Sequence, residues 1–350
     1  MNVAASKEIE PGVTGGGRVE RLPGVDAGAS RDRAWLAGLQ PSSAVYLAPI
    51  AVFFLVSIKL PSIDSRSGIL SILVLSSILG IAAVGQSLAI VIGGIDLSIP
   101  ATIGLANVLV ATLTQSGWNF GLICLLLLGL SLAVGMVNGS LSSIFNLHPL
   151  VVTLGVGSII TGGILEQTGG QTGGSVPQGL INAVSPIGKT FFLPIPICLA
   201  LWIIVSVAVV AIERRTVIGR RVFTLGANPR AARLALVNPV AVRIFVYSAS
   251  AACACLAGVL LAGFSSGASV DIGQPYLFST ITAVVVGGTA LIGGRGGYAR
   301  TIAGAVLTVE IQTLLVGLGA GASMQEVLLG VIILVLVGVY GRESPVSSRI

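Results

Sequence analysis

Between Gly68 and Leu165 one side chain alone carries a formal charge, Asp96, with His148 counted as neutral. Water-soluble helices and antiparallel strands keep one polar side, and a stretch this long without charges has none to offer. Lipid is the solvent that suits it, and there about 20 apolar residues make one crossing helix. The rest of the chain is similar: 54% of its 350 residues are hydrophobic and 9% are charged, against about a quarter in an average soluble domain. Its 47 glycines fit close helix–helix approach in lipid.

Apolar runs delimit ten spans, at about 44–60, 70–92, 98–115, 120–142, 150–165, 191–212, 243–264, 279–294, 301–319 and 324–340. The fifth and eighth are short, which allows broken or re-entrant helices. The fold class is thus an all-α integral membrane protein. Residues 1–43 form a polar tail, 44–341 the transmembrane domain with a loop at 213–242, and 342–350 a second tail. That loop, with Arg243, carries Arg214, Arg215, Arg220, Arg221, Arg230 and Arg233 against one acid, Glu213. Basic loops stay in the cytoplasm. Six spans precede the loop, so both termini are expected there too. Lys7, Arg18, Arg21, Arg31 and Arg33 agree, although five acids accompany them and Lys59 and Arg66 fall in the first outer loop. Arginines confined to loops set orientation and give no reason to expect nucleic acid.

Catalysis finds little to work with. Cys124, Cys198, Cys253 and Cys255 lie in apolar segments without metal-ligand spacing. No Ser/His, HExxH or paired-Asp constellation occurs, and the glycine runs lack the lysine of a phosphate-binding P-loop. No catalytic residue, metal or cofactor is expected. Polar residues inside spans are costly in lipid and mark candidate substrate paths. Here they are Gln86, Asn107, Asn138, Thr153, Glu310, Gln312 and Thr313. Each amide can also simply bond a neighbouring helix.

Asp96 sits in VIGGIDLSIP, Val91–Pro100. Gly93 and Gly94 can close one helix in left-handed geometry. Asp96 or Ser98 can cap the next, with Pro100 in its first turn. This places Asp96 at the inner turn; the alternative is a broken helix that dips inward and presents it to the path. Ile92–Leu97 is echoed by Val286–Leu291, as an internal repeat would require. In the arginine loop, Asn228-Pro229 suits a helix start and Asn238-Pro239 its end. Such a short polar helix can rest on anionic lipid heads or dock a cytoplasmic partner.

Four motifs in order, GGIDLSIP, HPLVVTLG (148–155), LGANPRAARLALVNP (225–239) and AVVVGGTALIGGRGG (283–297), resemble the membrane permeases of ribose-type monosaccharide ABC importers. The wider group includes branched-chain amino acid permeases. The likeness runs from about residue 45 to 341. It implies a non-catalytic subunit in a bacterial inner membrane, with Gly226–Leu236 as the coupling helix on a separate cytoplasmic ATPase. Gly226, Asn228, Ala231, Ala232 and Leu234 keep that family's pattern, with Arg233 beside them, while Ala235 and Leu236 replace its Ser-Gly. It also implies a periplasmic or lipid-anchored sugar-binding protein and a second permease copy, identical or a paralogue. Glu310 departs from the pattern, and His148 stands where Asn is usual. Cargo alternatives are a branched-chain amino acid, a polyol or a sugar-derived signal; a stand-alone proton-linked transporter using Glu310 is the rival of another class.

Overall fold

A computed structural model describes residues 41–170, 173–187 and 195–340. The tails expected at 1–43 and 342–350 fall outside the described residues except for 41–43. Among the described residues every regular element is helical. In order these are α1 (Pro41–Lys59), α2 (Arg66–Val91), α3 (Ile99–Gln115), α4 (Phe120–Ile144), α5 (Pro149–Thr168), α6 (Gln178–Val184) and α7 (Ile197–Arg215). Then come α8 (Val217–Ala227), α9 (Pro229–Leu234), α10 (Pro239–Ser265), α11 (Tyr276–Val286), α12 (Tyr298–Gly317) and α13 (Ala322–Tyr340), with short 3-10 turns at Pro61–Asp64 and Val270–Gly273.

The helix ends obey local chemistry. Ser65, Asn119, Asn228 and Asn238 each accept a first-turn N–H with their side chains, satisfying donors a helix start leaves free. Prolines occupy the first turn of α3, α5, α9 and α10, where no N–H is needed. Each of the ten apolar runs lands on a helix. Six are long and apolar enough to cross a membrane: α2, α4, α5, α7, α10 and α12. Of the other four, Ile99–Gln115 and Val270–Val286 are shorter, while α1 and α13 carry apolar stretches at Val45–Lys59 and Ala322–Gly338. The expected eighth span, 279–294, is corrected most. Its helix stops at Val286 because Gly287 and Gly288 end it, and a run of turns takes over from there. Eleven residues rise about 16 Å, half a hydrocarbon core.

α10 forms the centre, packed along α4, α3 and α2, while α12 packs against α2, α11 and α1. Side-chain size allows this. Gly135 and Gly139 of α4 face the α10 backbone so closely that a β-carbon at either would overlap Ser248 or Ile244. Such small-xxx-small spacing is what lets helices meet in lipid.

Gly135→Val is therefore expected to cost about 1–3 kcal/mol by overpacking. Gly129→Val, at a site with nothing within 4 Å, should leave the melting temperature in detergent near that of the unaltered protein. Equal melting of the two variants would remove the α4–α10 seam from the account.

Candidate functional site

The break between α2 and α3 brings together Asp96, Ser98, Asn138 and Thr153 from the expected polar residues. Gly93 turns left-handed (φ +79°), and the Gly94 N–H reaches back to the Ala89 carbonyl at 2.8 Å, closing α2 as glycine pairs do. The capping role expected of Asp96 or Ser98 is replaced by a different one. Ser98 is the N-cap residue of α3 and makes no side-chain cap bond. The Asp96 carboxyl, 1% exposed, instead accepts the Ser98 N–H (3.0 Å) and Ser98 Oγ (2.6 Å) on one oxygen. Its other oxygen accepts Ser250 Oγ at 2.6 Å. Asn138 Nδ2 donates to Ser98 Oγ at 2.9 Å, and Thr153 Oγ1 accepts the Leu97 N–H at 3.1 Å. Four elements, the break itself, α4, α5 and α10, thus meet around one carboxyl group.

Ser250 lies eleven residues beyond the start of α10, roughly 16 Å along its axis. Thr153 is only four residues into α5 and Asn138 six from the end of α4, about 6 and 9 Å from those ends, so the break stands one to three helical turns inside the helix ends.

A second junction lies at the end of α2. The Val91 carbonyl, left free by the helix end, accepts the Gly294 N–H at 2.8 Å. Gly226, the penultimate residue of α8, packs so tightly on that carbonyl that a β-carbon would overlap it. Gly293 (φ +91°) and Gly294 (φ +75°) give the GGRGG turn its left-handed path. The turn's amide is spent on protein, in keeping with tight packing and not with a phosphate cradle. The internal echo reappears here one residue out of register. Gly288 (φ +82°) matches Gly93, and the Thr289 N–H reaches Val284 O as Gly94 reaches Ala89 O. Beside the turn, both oxygens of buried Glu213 accept the Tyr298 N–H at 3.1 and 3.0 Å. Tyr298 Oη donates to Gly80 O and accepts Trp202 Nε1, both at 2.9 Å. Glu213 thereby ties the end of α7 to the start of α12.

The remaining candidates separate. Asn107 bonds the Ser269 N–H and Gly267 O, so its amide pins a loop. Thr313 bonds its own helix at Val309 O, while Gln312 Nε2 donates to Ser279 Oγ on α11 at 2.8 Å. Gln86 is fully buried with neither amide atom partnered, and one oxygen of Glu310 (3% exposed) is likewise unpartnered. Such groups are expensive unless water or a solute reaches them. Thr282 Oγ1, also orphaned, is on α11, which packs against α2. His148 stands at the N-cap position of α5 and makes no side-chain cap bond.

The arginine loop holds two helices, α8 and α9, where one was expected. Asn228 Oδ1 caps α9 through the Arg230 and Ala231 N–H groups, at 2.9 and 3.1 Å. The helix ends at Leu234, and Asn238 caps α10 instead of closing α9. Ala232 is buried beneath it, while Leu234 and Leu236 are 87% and 91% exposed; Leu236 takes the strained φ of +58°. Ser250, Tyr298, Trp202 and Ser279 carried no sequence signal, being common residues in apolar runs. Glu213 had one: it is the only acid beside seven arginines.

Asp96→Ala is expected to lower stability by about 1.5–3 kcal/mol, since it strands several donors. Ser250→Ala should cost about 1 kcal/mol. Chemical denaturation in detergent measures both; equal, negligible effects would reduce Asp96 to a bystander.

The probable ABC transporter permease protein YphD of Escherichia coli K12 is 35% identical over 292 residues, covering 83% of this chain and 87% of that one. The autoinducer 2 import system permease protein LsrD of Klebsiella pneumoniae is 31% identical over 261 residues (74% and 79%). The ribose import permease protein RbsC of Bacillus subtilis is 30% identical over 302 residues (86% and 92%). No solved structure matches the chain significantly. A family model for the permease component of branched-chain amino acid transport systems matches residues 68–337. With most of its length matched, the chain belongs to that permease family, as a multi-pass protein of the bacterial inner membrane.

Proposed function

We propose that the chain is the translocation subunit of an ABC importer that carries a monosaccharide or sugar-derived solute inward, without catalysis of its own. The observation that carries this is the placing of α9. Two leucines stand almost fully exposed on and just beyond it, and behind it Gly226 sits on the Val91 carbonyl at the end of α2. An exposed apolar knob on a polar loop asks for a protein partner, and a separate cytoplasmic ATPase answers that. Through the Val91 junction and the Glu213–Tyr298 link, a push on α9 reaches both the broken helix and α12. The ten apolar helices cross the membrane with both termini in the cytoplasm, the shorter α3 and α11 in partnership with the turns beside them. A second permease copy completes the path and an external binding protein delivers the cargo.

Relatives named for ribose and autoinducer 2 import favour a neutral, hydroxyl-rich cargo. The orphaned Gln86 amide and the Gln312–Ser279 pair supply donors and acceptors without net charge. A branched-chain amino acid would need compensation for both ends of a zwitterion, and no basic side chain lies within α2, α3, α11 or the part of α12 beyond Arg300 apart from Arg66 at the start of α2. Glu310 then serves as a buried polar wall and not as a proton relay.

Leu234→Glu tests the coupling role. Its side chain is exposed, so stability should shift by less than about 0.5 kcal/mol. ATP-dependent uptake of labelled ribose by whole cells is expected to fall at least about tenfold, the effect of losing roughly 1.4 kcal/mol at a docking contact. Undiminished uptake, or uptake abolished by a protonophore while ATP is maintained, would overturn the importer assignment. Uptake of leucine in place of any sugar would overturn the cargo.

A further inference from the structure

Between α8 and the first turns of α10 lies a groove of about 170 Å³ lined by Ile218, Arg221, Val222, Ala241, Val242 and Phe245, with Asn238 at one end. Apart from Arg221 and Asn238 its walls are apolar. The α9 surface and the candidate cargo residues are elsewhere, and the Asp96 cluster does not reach it.

We propose that this groove holds one anionic phospholipid of the inner leaflet, part of one of its acyl chains between α8 and α10 and its phosphate on Arg221. Charge argues for the headgroup. Arg221 has no hydrogen-bond or ion-pair partner among the described residues, and Arg220 precedes it on the same exposed turn. From Glu213 to Asp271 no acid interrupts the sequence, and Glu213 itself is turned inward to the Tyr298 N–H. Nothing nearby therefore neutralises the guanidinium, whose planar fork suits phosphate oxygens. Shape argues for the chain: Ile218 and Phe245 are 42% and 36% exposed, apolar surface at the membrane's inner edge.

α8 itself has the form of an interfacial helix. Gly219, Val222 and Leu225 are buried against the bundle, while Val217, Ile218, Arg220 and Arg221 face outward. Apolar side chains beside arginines match the boundary between acyl chains and anionic headgroups. Free phosphate would satisfy Arg221 and leave the apolar walls uncovered, whereas a phospholipid satisfies both. Because α8 ends with Gly226 on the Val91 carbonyl, lipid occupancy would brace the element that backs α9. The inference rests on the membrane orientation proposed above and is independent of the cargo.

Native mass spectrometry of the full-length chain, equilibrated with mixed palmitoyl-oleoyl phosphatidylglycerol and phosphatidylcholine, tests it. One retained phosphatidylglycerol per chain is expected. Arg221→Gln should weaken its retention about fivefold, the equivalent of about 1 kcal/mol for one arginine near an anionic surface. Ala241→Leu, at a lining position, should block the groove and release the lipid with Arg221 intact. A photoreactive residue replacing Ile218 in native membranes should form a phospholipid adduct. Equal retention of both lipids, retention unchanged in both variants, or a cross-link to a protein in place of lipid would overturn the proposal.

Discussion

A helix that breaks inside an apolar bundle frees backbone groups that no water is there to receive, and each left bare costs several kcal/mol. The interruption between Val91 and Ile99 shows where the freed groups go. The Val91 carbonyl takes the Gly294 N–H, and the Ala89 carbonyl takes the Gly94 N–H. Leu97 donates to Thr153 and Ser98 to Asp96. Two of these partners are local and two, Gly294 and Thr153, come from distant parts of the sequence, so the break depends on both its own turn chemistry and its neighbours. The same need explains why a lone acid is tolerated there: Asp96 replaces hydrogen bonds that the helix gave up.

Similar bonds link the arginine loop to the interior. Gly226 and the Gly293-Gly294 turn lie against the end of α2, and Glu213 holds the first amide of α12. The two helices thereby gripped carry Gln86 and Glu310, buried groups with unpartnered atoms. A transporter needs polar groups that a passing solute can satisfy and a means of moving the helices that bear them. In the proposed role one set of contacts would join both.

Much of this was legible in the sequence, and the failures reflect what a sequence carries. Apolar runs located ten helices because lipid solvation leaves a long, local signal. They could not show that α11 stops at Val286, since Gly287 to Gly294 contains no charge to end a hydropathy run. The Gly-Gly turn before Asp96 was readable from local chemistry, as was the Asn228 cap. Asp96 was assigned to capping because spacing shows only near neighbours, whereas its partner Ser250 stands 154 residues away. The repeat was visible but misaligned by one residue, since glycine pairs align equally well in either register and only φ and the reach-back bond distinguish them. Gln86, Asn107, Asn138 and Gln312 were found as a class. Which pins a loop and which is left without a partner depends on packing that no single segment specifies.

In the proposed coupling role the exposed α9 and the broken helix would move together, because Gly226 rests on the Val91 carbonyl. Cargo imported per ATP hydrolysed in Gly226→Val tests it most directly. The variant keeps the α9 surface but forces α8 off the end of α2, so hydrolysis should persist while the transport ratio falls severalfold. A ratio equal to that of the unaltered protein, with both activities intact, would contradict the account.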